Sequence, residues 1–123
     1  MTYSLFEPFE WAGATLTERD ALTALPEYRN GGLLLDTGVI TWRDSADALG
    51  AWDVGSELVV EWRALTVALI DELAPRVRAM LGTPGLPLAC ILEGGTWAAG
   101  RALAREKRNG SPPFAVNSDG TVF

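Results

Sequence analysis

Histidine is absent from the 123 residues, and that absence removes much ordinary enzymology. Without imidazole there is no Ser-His-Asp or Cys-His nucleophile system, no His-ligated zinc and no side chain titrating unperturbed near neutral pH. The single cysteine, Cys90, can neither close an intramolecular disulfide nor build a thiolate metal site. Its apolar neighbours predict a buried small hydrophobe in a reducing, cytoplasmic compartment. Any catalysis must therefore run on carboxylates, Arg, Lys, Tyr or a bound ion, and nothing in the sequence requires a metal or a cofactor.

Long apolar runs are lacking as well. No segment approaches the roughly 20 apolar residues that span a bilayer, Met1-Thr2-Tyr3-Ser4 lacks the basic start of a secretory leader, and Glu7, Pro8 and Glu10 interrupt what would be its apolar core. No membrane partner is expected. Positive charge is also scarce: 10 Lys+Arg against 16 Asp+Glu give −6, which makes duplex nucleic acid a poor partner. The bases that exist are concentrated. Residues 1–100 carry six bases and fourteen acids, whereas 101–108 (RALAREKR) carry four bases and one acid, so one helix end is suited to a small anion.

What is present, 48% hydrophobic and 21% charged residues, suits a single domain over 1–123 that buries about two-thirds of its surface. Residues 1–14 (MTYSLFEPFEWAGA) read as an extended arm because Pro8 argues against a continuous helix. Thr17 starts a short helix that Pro26 ends. Glu27 to Gly32 read as a polar, glycine-rich loop, while the apolar runs 33–35 and 39–42 are too short for periodicity to separate strand from helix. Residues 44–50 allow one helical turn. The strongest element starts at the capping Ser56 and runs to about Ala74, with Pro75 kinking it or opening a second segment, 75–81, closed by Gly82. At 100° per residue its apolar side chains fill an arc of about 140° that includes Leu65 and Leu69, both expected in the core. Residues 86–92 read as a buried apolar segment, 97–108 as an Ala-rich helix, and 112–123 as a hairpin turning at Asp119-Gly120. The predicted fold class is mainly α, a helical domain with a small C-terminal β-hairpin.

Three constellations carry possible chemistry. Gly94-Gly95-Thr96 stand before the 97–108 helix with Trp97, Arg101 and Arg105 beyond them; glycines that free the amides, a hydroxyl and a helix dipole together favour an anion, the alternative being a tight turn and a plain N-cap. Glu57 and Glu61 are paired one turn apart, as acid–base chemistry or stabilisation of an oxocarbenium-like centre needs, although helical Glu pairs more often face solvent or form salt bridges. With Ala64 and Ala68 they form a strip of acids and small side chains that another chain or a ligand can approach closely. Glu27-Tyr28-Arg29-Asn30 concentrates an acid, an aromatic platform and two planar hydrogen-bonding groups, a set that suits a nucleoside-like ligand.

The stretches FEPFEWAG (6–13), PEYRNGGLLLDTGVI (26–40), GSELVVEWRALTVALIDELAP (55–75) and LEGGTWAAGRALAREKR with PPFAVNSDGTVF (92–123) resemble the uracil catabolism protein 4 family, a domain-of-unknown-function group of fungi and bacteria. The family's members are longer, and the chain resembles their C-terminal part. A weaker resemblance joins Glu27-Tyr28-Arg29, Gly55-Ser56 and Glu61-Trp62-Arg63-Ala64 to queuosine salvage nucleoside hydrolases, which implies an architecture similar to DNA glycosylases and a catalytic role at Glu27, with Glu in place of the usual Asp.

Together these resemblances imply pyrimidine catabolism and hydrolysis of an N-ribosyl bond in a ribosylurea-type or nucleotide-derived intermediate. Glu27 is then the stabiliser or nucleophile and Glu57 or Glu61 the proton donor or water activator. Gly94, Gly95, Thr96 and Arg101 form a phosphate cradle, with Tyr28, Arg29, Asn30 and Trp97 completing the ligand contacts. The contrasting expectation is a non-catalytic ligand-binding or assembly module that forms a homodimer or needs an N-terminal partner domain.

Overall fold

The computed structural model describes residues 3–120. In chain order these form α1 (Phe6–Trp11), α2 (Tyr28–Asp36), β1 (Ala51–Asp53), α3 (Glu57–Leu81), α4 (Leu88–Ile91), α5 (Ala98–Arg108) and β2 (Ala115–Asn117), with 3-10 turns at Tyr3–Leu5, Arg19–Ala21 and Ser45–Leu49 and a π-wound stretch, Leu92–Trp97, joining α4 to α5. The fold is mainly helical, as the sequence predicts.

Helix α3 is the axis of the molecule, and its ends lie where the sequence puts them. Ser56 Oγ accepts from the Val59 amide, and Gly82, at φ +64, lets its own amide reach Ala79 O and that of Thr83 reach Arg78 O. Pro75 does not divide the helix. The missing N–H removes only the bond to the Asp71 carbonyl, and the helix continues through its exposed ring for the remaining turns. The buried residues are Val59, Trp62, Thr66, Ile70 and Ala74, a stripe centred roughly 50° from the middle of the apolar arc. Leu65 is 39% exposed and Leu69 half-buried, which corrects their assignment to the core. Amphipathicity located the helix face only to within the width of its apolar arc; the neighbours chose the centre.

Those neighbours make two apolar clusters. Around the first half of α3, Val59, Trp62 and Phe114 are buried, and Tyr28, Leu35, Ile40, Trp42, Trp52, Leu58 and Val116 pack on them. Further along, Ile70 is buried with Ala24 and Leu92, joined by Tyr3 and Leu88.

Helix α2 occupies what reads as a glycine-rich loop. Glu27 caps it by accepting from the Arg29 amide at 2.9 Å, and its two glycines serve packing. A Cβ on Gly31 would lie 2.5 Å from the Trp62 indole, so the helix former that propensity prefers there is excluded by the ring. Gly100 has the same role between α2 and α5: a Cβ there would run into the Arg29 carbonyl. The α5 end is fixed by Arg108, whose guanidinium meets both oxygens of Asp36 at 2.6 and 2.7 Å, and by Lys107 Nζ, which donates to Asp36 O at 2.8 Å. The hydrogen bonds that Arg108 donates to the mostly buried Asp36 carboxylate raise the pKa of Arg108 further above its ordinary value.

Other expectations are corrected. Residues 6–11 are helical, since Pro8 stands in the first turn, where its absent N–H has no acceptor to lose. The helix expected from Thr17 reduces to the turn Arg19–Ala21, entered through Glu18 at φ +54. Residues 39–42 are neither strand nor helix. The β element is a parallel pair, with Ala51, Trp52 and Asp53 opposite Ala115, Val116 and Asn117. The return strand of the expected hairpin falls at 121–123, outside the described residues. Cys90 is exposed rather than buried, because α4 turns Ile91 inward.

Candidate functional site

The first turns of α3 project Glu57 and Glu61 from the helix face beside the aromatic cluster. There they line a cleft of about 340 Å³ together with Trp42, Trp52, Trp62, Arg43, Asp47 and the aliphatic side chains of Leu35, Ile40, Leu58 and Leu65. Rigid rings make the walls. Phe114 meets Trp42 edge-on at 5.0 Å and Trp62 at 4.7 Å, and Trp52 Nε1 donates to Asp47 O at 3.0 Å. Glu61 Oε1 accepts from the Arg43 guanidinium at 2.7 Å. Glu57 has no side-chain hydrogen bond or ion pair among the described residues, so one carboxylate is held and its neighbour is left to water or a ligand. Ala64 and Ala68, on the same strip, are exposed. Sequence reasoning identified the two carboxylates but missed Trp42, Arg43, Asp47 and Trp52, which reach the cleft from an irregular segment with no periodicity to expose it.

The other predicted site residues form a second group around α2 and α5. Glu27 does not line the carboxylate cleft. Its carboxylate caps α2 and takes the Arg29 guanidinium at 2.9 Å. That guanidinium lies over the Tyr28 ring at 4.4 Å and the Trp97 ring at 4.9 Å, and Arg101 lies over Trp97 at 5.3 Å. Asn30, 2% exposed, donates to Leu25 O and accepts from Thr96 Oγ1 at 2.9 Å. A cleft gathering Glu27, Glu61 and Arg101 is therefore not what these residues build.

The helix start expected at Gly94-Gly95-Thr96 is also absent. Helical winding is continuous from Leu88 to Arg108 with an i→i+5 section at Leu92–Trp97, so the amides of Gly94 and Gly95 lie inside a helical run and do not form an open N-terminus. Thr96 is buried and its hydroxyl is occupied by Asn30. The misleading signal was a Gly-Gly-Thr triplet with the composition of a turn and cap.

A second cleft of about 340 Å³ lies at the far part of α3 between Asp20, Thr23, Asp71, Arg78, Pro84 and Leu86. Two of its polar groups, Asp71 and Arg78, are engaged in structure, while the Asp20 carboxylate has no side-chain partner among the described residues. Asp71 accepts from the Ala24 amide at 2.8 Å and Arg78 Nε donates to Leu86 O at 2.8 Å. Tyr3, whose hydroxyl donates to Thr23 O at 2.7 Å, has its pKa raised by burial and then by the Asp71 charge. Among the described residues no three His, Cys, Asp or Glu are grouped to hold a metal ion, and no helix is long and apolar enough to cross a membrane.

The sequence model of the family described as "Protein of unknown function (DUF1688)" matches residues 1–123. Protein urg3 of Schizosaccharomyces pombe is 41% identical over 130 residues, covering 100% of this chain and 32% of its own length. Uracil catabolism protein 4 of Lachancea kluyveri is 41% identical over 142 residues with the same coverages, 100% and 32%. The chain thus spans about a third of the length of these relatives. No solved structure matches it.

Proposed function

The chain belongs to the DUF1688 family, and from that premise we propose that it serves uracil (pyrimidine) catabolism by supplying the carboxylate cleft at which an N-ribosyl bond of a ribosylurea-type or nucleotide-derived intermediate is hydrolysed. The pathway half rests on similarity to uracil catabolism protein 4 of Lachancea kluyveri. The reaction half rests on one observation: Glu57 and Glu61 stand one turn apart on the rim of a cleft walled by Trp42, Trp52 and Trp62.

Breaking the bond between the anomeric carbon and nitrogen leaves positive charge on the sugar and a departing urea nitrogen that needs a proton, while water forms the new carbon–oxygen bond and loses one. Glu61, oriented by Arg43, faces the developing charge and takes the proton from water. Glu57, with no competing side-chain partner among the described residues, delivers the proton to the leaving nitrogen. The tryptophan rings provide flat apolar walls for the sugar. Glu27 has no step in this scheme, because its carboxylate is committed to the cap of α2 and to Arg29.

The test is release of urea from ribosylurea and its phosphate by this chain and by the full-length Schizosaccharomyces pombe relative, with Glu57→Gln and Glu61→Gln made at the matching positions. Loss of proton transfer at either carboxylate should lower kcat by about 10²–10⁴-fold. Unchanged turnover in both variants, or no turnover by the full-length parent, contradicts the reading. The second reading, a non-catalytic assembly module, is favoured by large apolar side chains left in solvent, Trp11 at 79%, Met80 at 87% and Leu49 at 91%. It gains if the full-length parent is inactive while this chain self-associates or binds the remainder of the longer protein.

A further inference from the structure

The basic run 101–108 is divided by the fold. Lys107 and Arg108 are used to hold Asp36, whereas Arg101 and Arg105, one turn apart and both exposed, have no ion pair or side-chain hydrogen bond among the described residues. Arg101 is nonetheless placed, because its guanidinium lies 5.3 Å from the centroid of Trp97. The same indole receives Arg29 at 4.9 Å, and Arg29 is fixed further by Tyr28 and by Glu27 Oε1 at 2.9 Å. Two guanidiniums therefore converge on one ring with a single carboxylate among them. Glu27, Arg29 and Arg101 sum to −1 + 2 = +1 in a chain whose net charge is −6, and Arg105 adds a further exposed cation one turn along α5.

A guanidinium held over a ring keeps its N–H edge available, and the edge of Arg101 together with the Arg29 donors that Glu27 does not take suits the several oxygens of an oxyanion. The π-wound stretch contributes by turning Thr96 inward to the buried Asn30 while Trp97 next to it meets the arginines. We propose that Arg29 and Arg101 around Trp97, with Arg105 one turn further along α5, form a binding site for the phosphate monoester group of a small ligand. The anchor is a stacked arginine pair on the sides of α2 and α5, with no part for helix-terminal amides. The site uses different residues from the carboxylate cleft and does not depend on the reaction proposed there.

The experiment follows the Trp97 indole and the arginine guanidinium signals of the 123-residue chain by NMR at low salt, titrating inorganic phosphate, uridine 5′-monophosphate and unphosphorylated uridine in separate arms. Both phosphates should bind in about the millimolar range, and Arg101→Ala should weaken them about tenfold or more. Arg101→Lys should keep part of the binding because charge remains but the planar fork is lost, and Arg76→Ala, on the exposed side of α3, should change nothing. The proposal is overturned if phosphate leaves Trp97 unshifted, if Arg101→Ala binds as the parent does, or if uridine binds as well as its monophosphate. Failure of urea release would leave these results untouched, so the two readings can fail separately.

Discussion

The two apolar clusters along α3 differ in material and in consequence. Around Val59 and Trp62 the packing is aromatic, and it draws on segments far apart in the chain: Tyr28 and Leu35, Trp42, Trp52, and Phe114 with Val116. Around Ile70 it is small and aliphatic, tied to its surroundings by Tyr3 and Asp71. The first cluster is continuous with a cleft whose walls are indole and whose rim is carboxylate. Both regions hold a cleft of about 340 Å³. Only the aromatic one sets two glutamates, Glu57 and Glu61, one turn apart beside indole walls, and chemistry is assigned to that end for this reason.

The sharpest way to break the contrast is to remove one anchor from each cluster. Trp62→Ala should cost about 3–5 kcal/mol and Ile70→Val about 0.5–1.5 kcal/mol in denaturant melts. Equal costs would show that the aromatic cluster is not the principal core. Thr96→Val deprives the Asn30 side-chain oxygen of its buried donor, for which about 1–3 kcal/mol is expected in the same melts, and a neutral result would mean that water replaces the hydroxyl.

Tyr3→Phe probes the aliphatic end through pH. The folded-state pKa of Tyr3 lies above the ordinary 10.0, so the folded chain keeps a proton that the unfolded chain has lost. The associated stability is complete below pH 10.0 and falls as pH rises toward the folded value. The variant should lose about 0.5–1.5 kcal/mol at neutral pH for the missing bond to Thr23 and show a flatter alkaline decline. A decline as steep as the parent's would assign it to other groups. The smallest effect expected is at Gly95, where an added Cβ meets nothing within 4 Å: Ala inside a helical run should stabilise by up to about 1 kcal/mol. A loss there would mean that the glycine is needed for its backbone freedom.

What the sequence made legible was what local rules control. Ser56 and Gly82 marked the ends of α3, Asp44 the turn at 45–49, and the Glu57–Glu61 pair half of the cleft. What it hid depends on partners distant in the chain. A glycine stands inside α2 at Gly31 because Trp62 occupies the space a side chain would need, and no pattern within 26–36 announces a ring thirty residues away. The parallel pairing of residues 51–53 with 115–117 joins two three-residue strands that are too short for any periodicity. Gly94-Gly95-Thr96 misled for the opposite reason: the local signal for a helix start was strong, but packing wound the segment straight through and used Thr96 to hold Asn30.

Five tryptophans, Trp11, Trp42, Trp52, Trp62 and Trp97, are distributed so that one experiment separates the carboxylate cleft from α1 and from the arginines at Trp97. Their indole N–H resonances, assigned by substitution and followed while ribosylurea is added, report where the ligand binds. If the carboxylate cleft is the site, Trp42, Trp52 and Trp62 should shift together and saturate with one affinity, Trp11 should stay still, and Glu57→Gln should weaken the response. Shifts confined to Trp11 or Trp97, or none at saturating ligand, would contradict the assignment of chemistry to the aromatic end of α3.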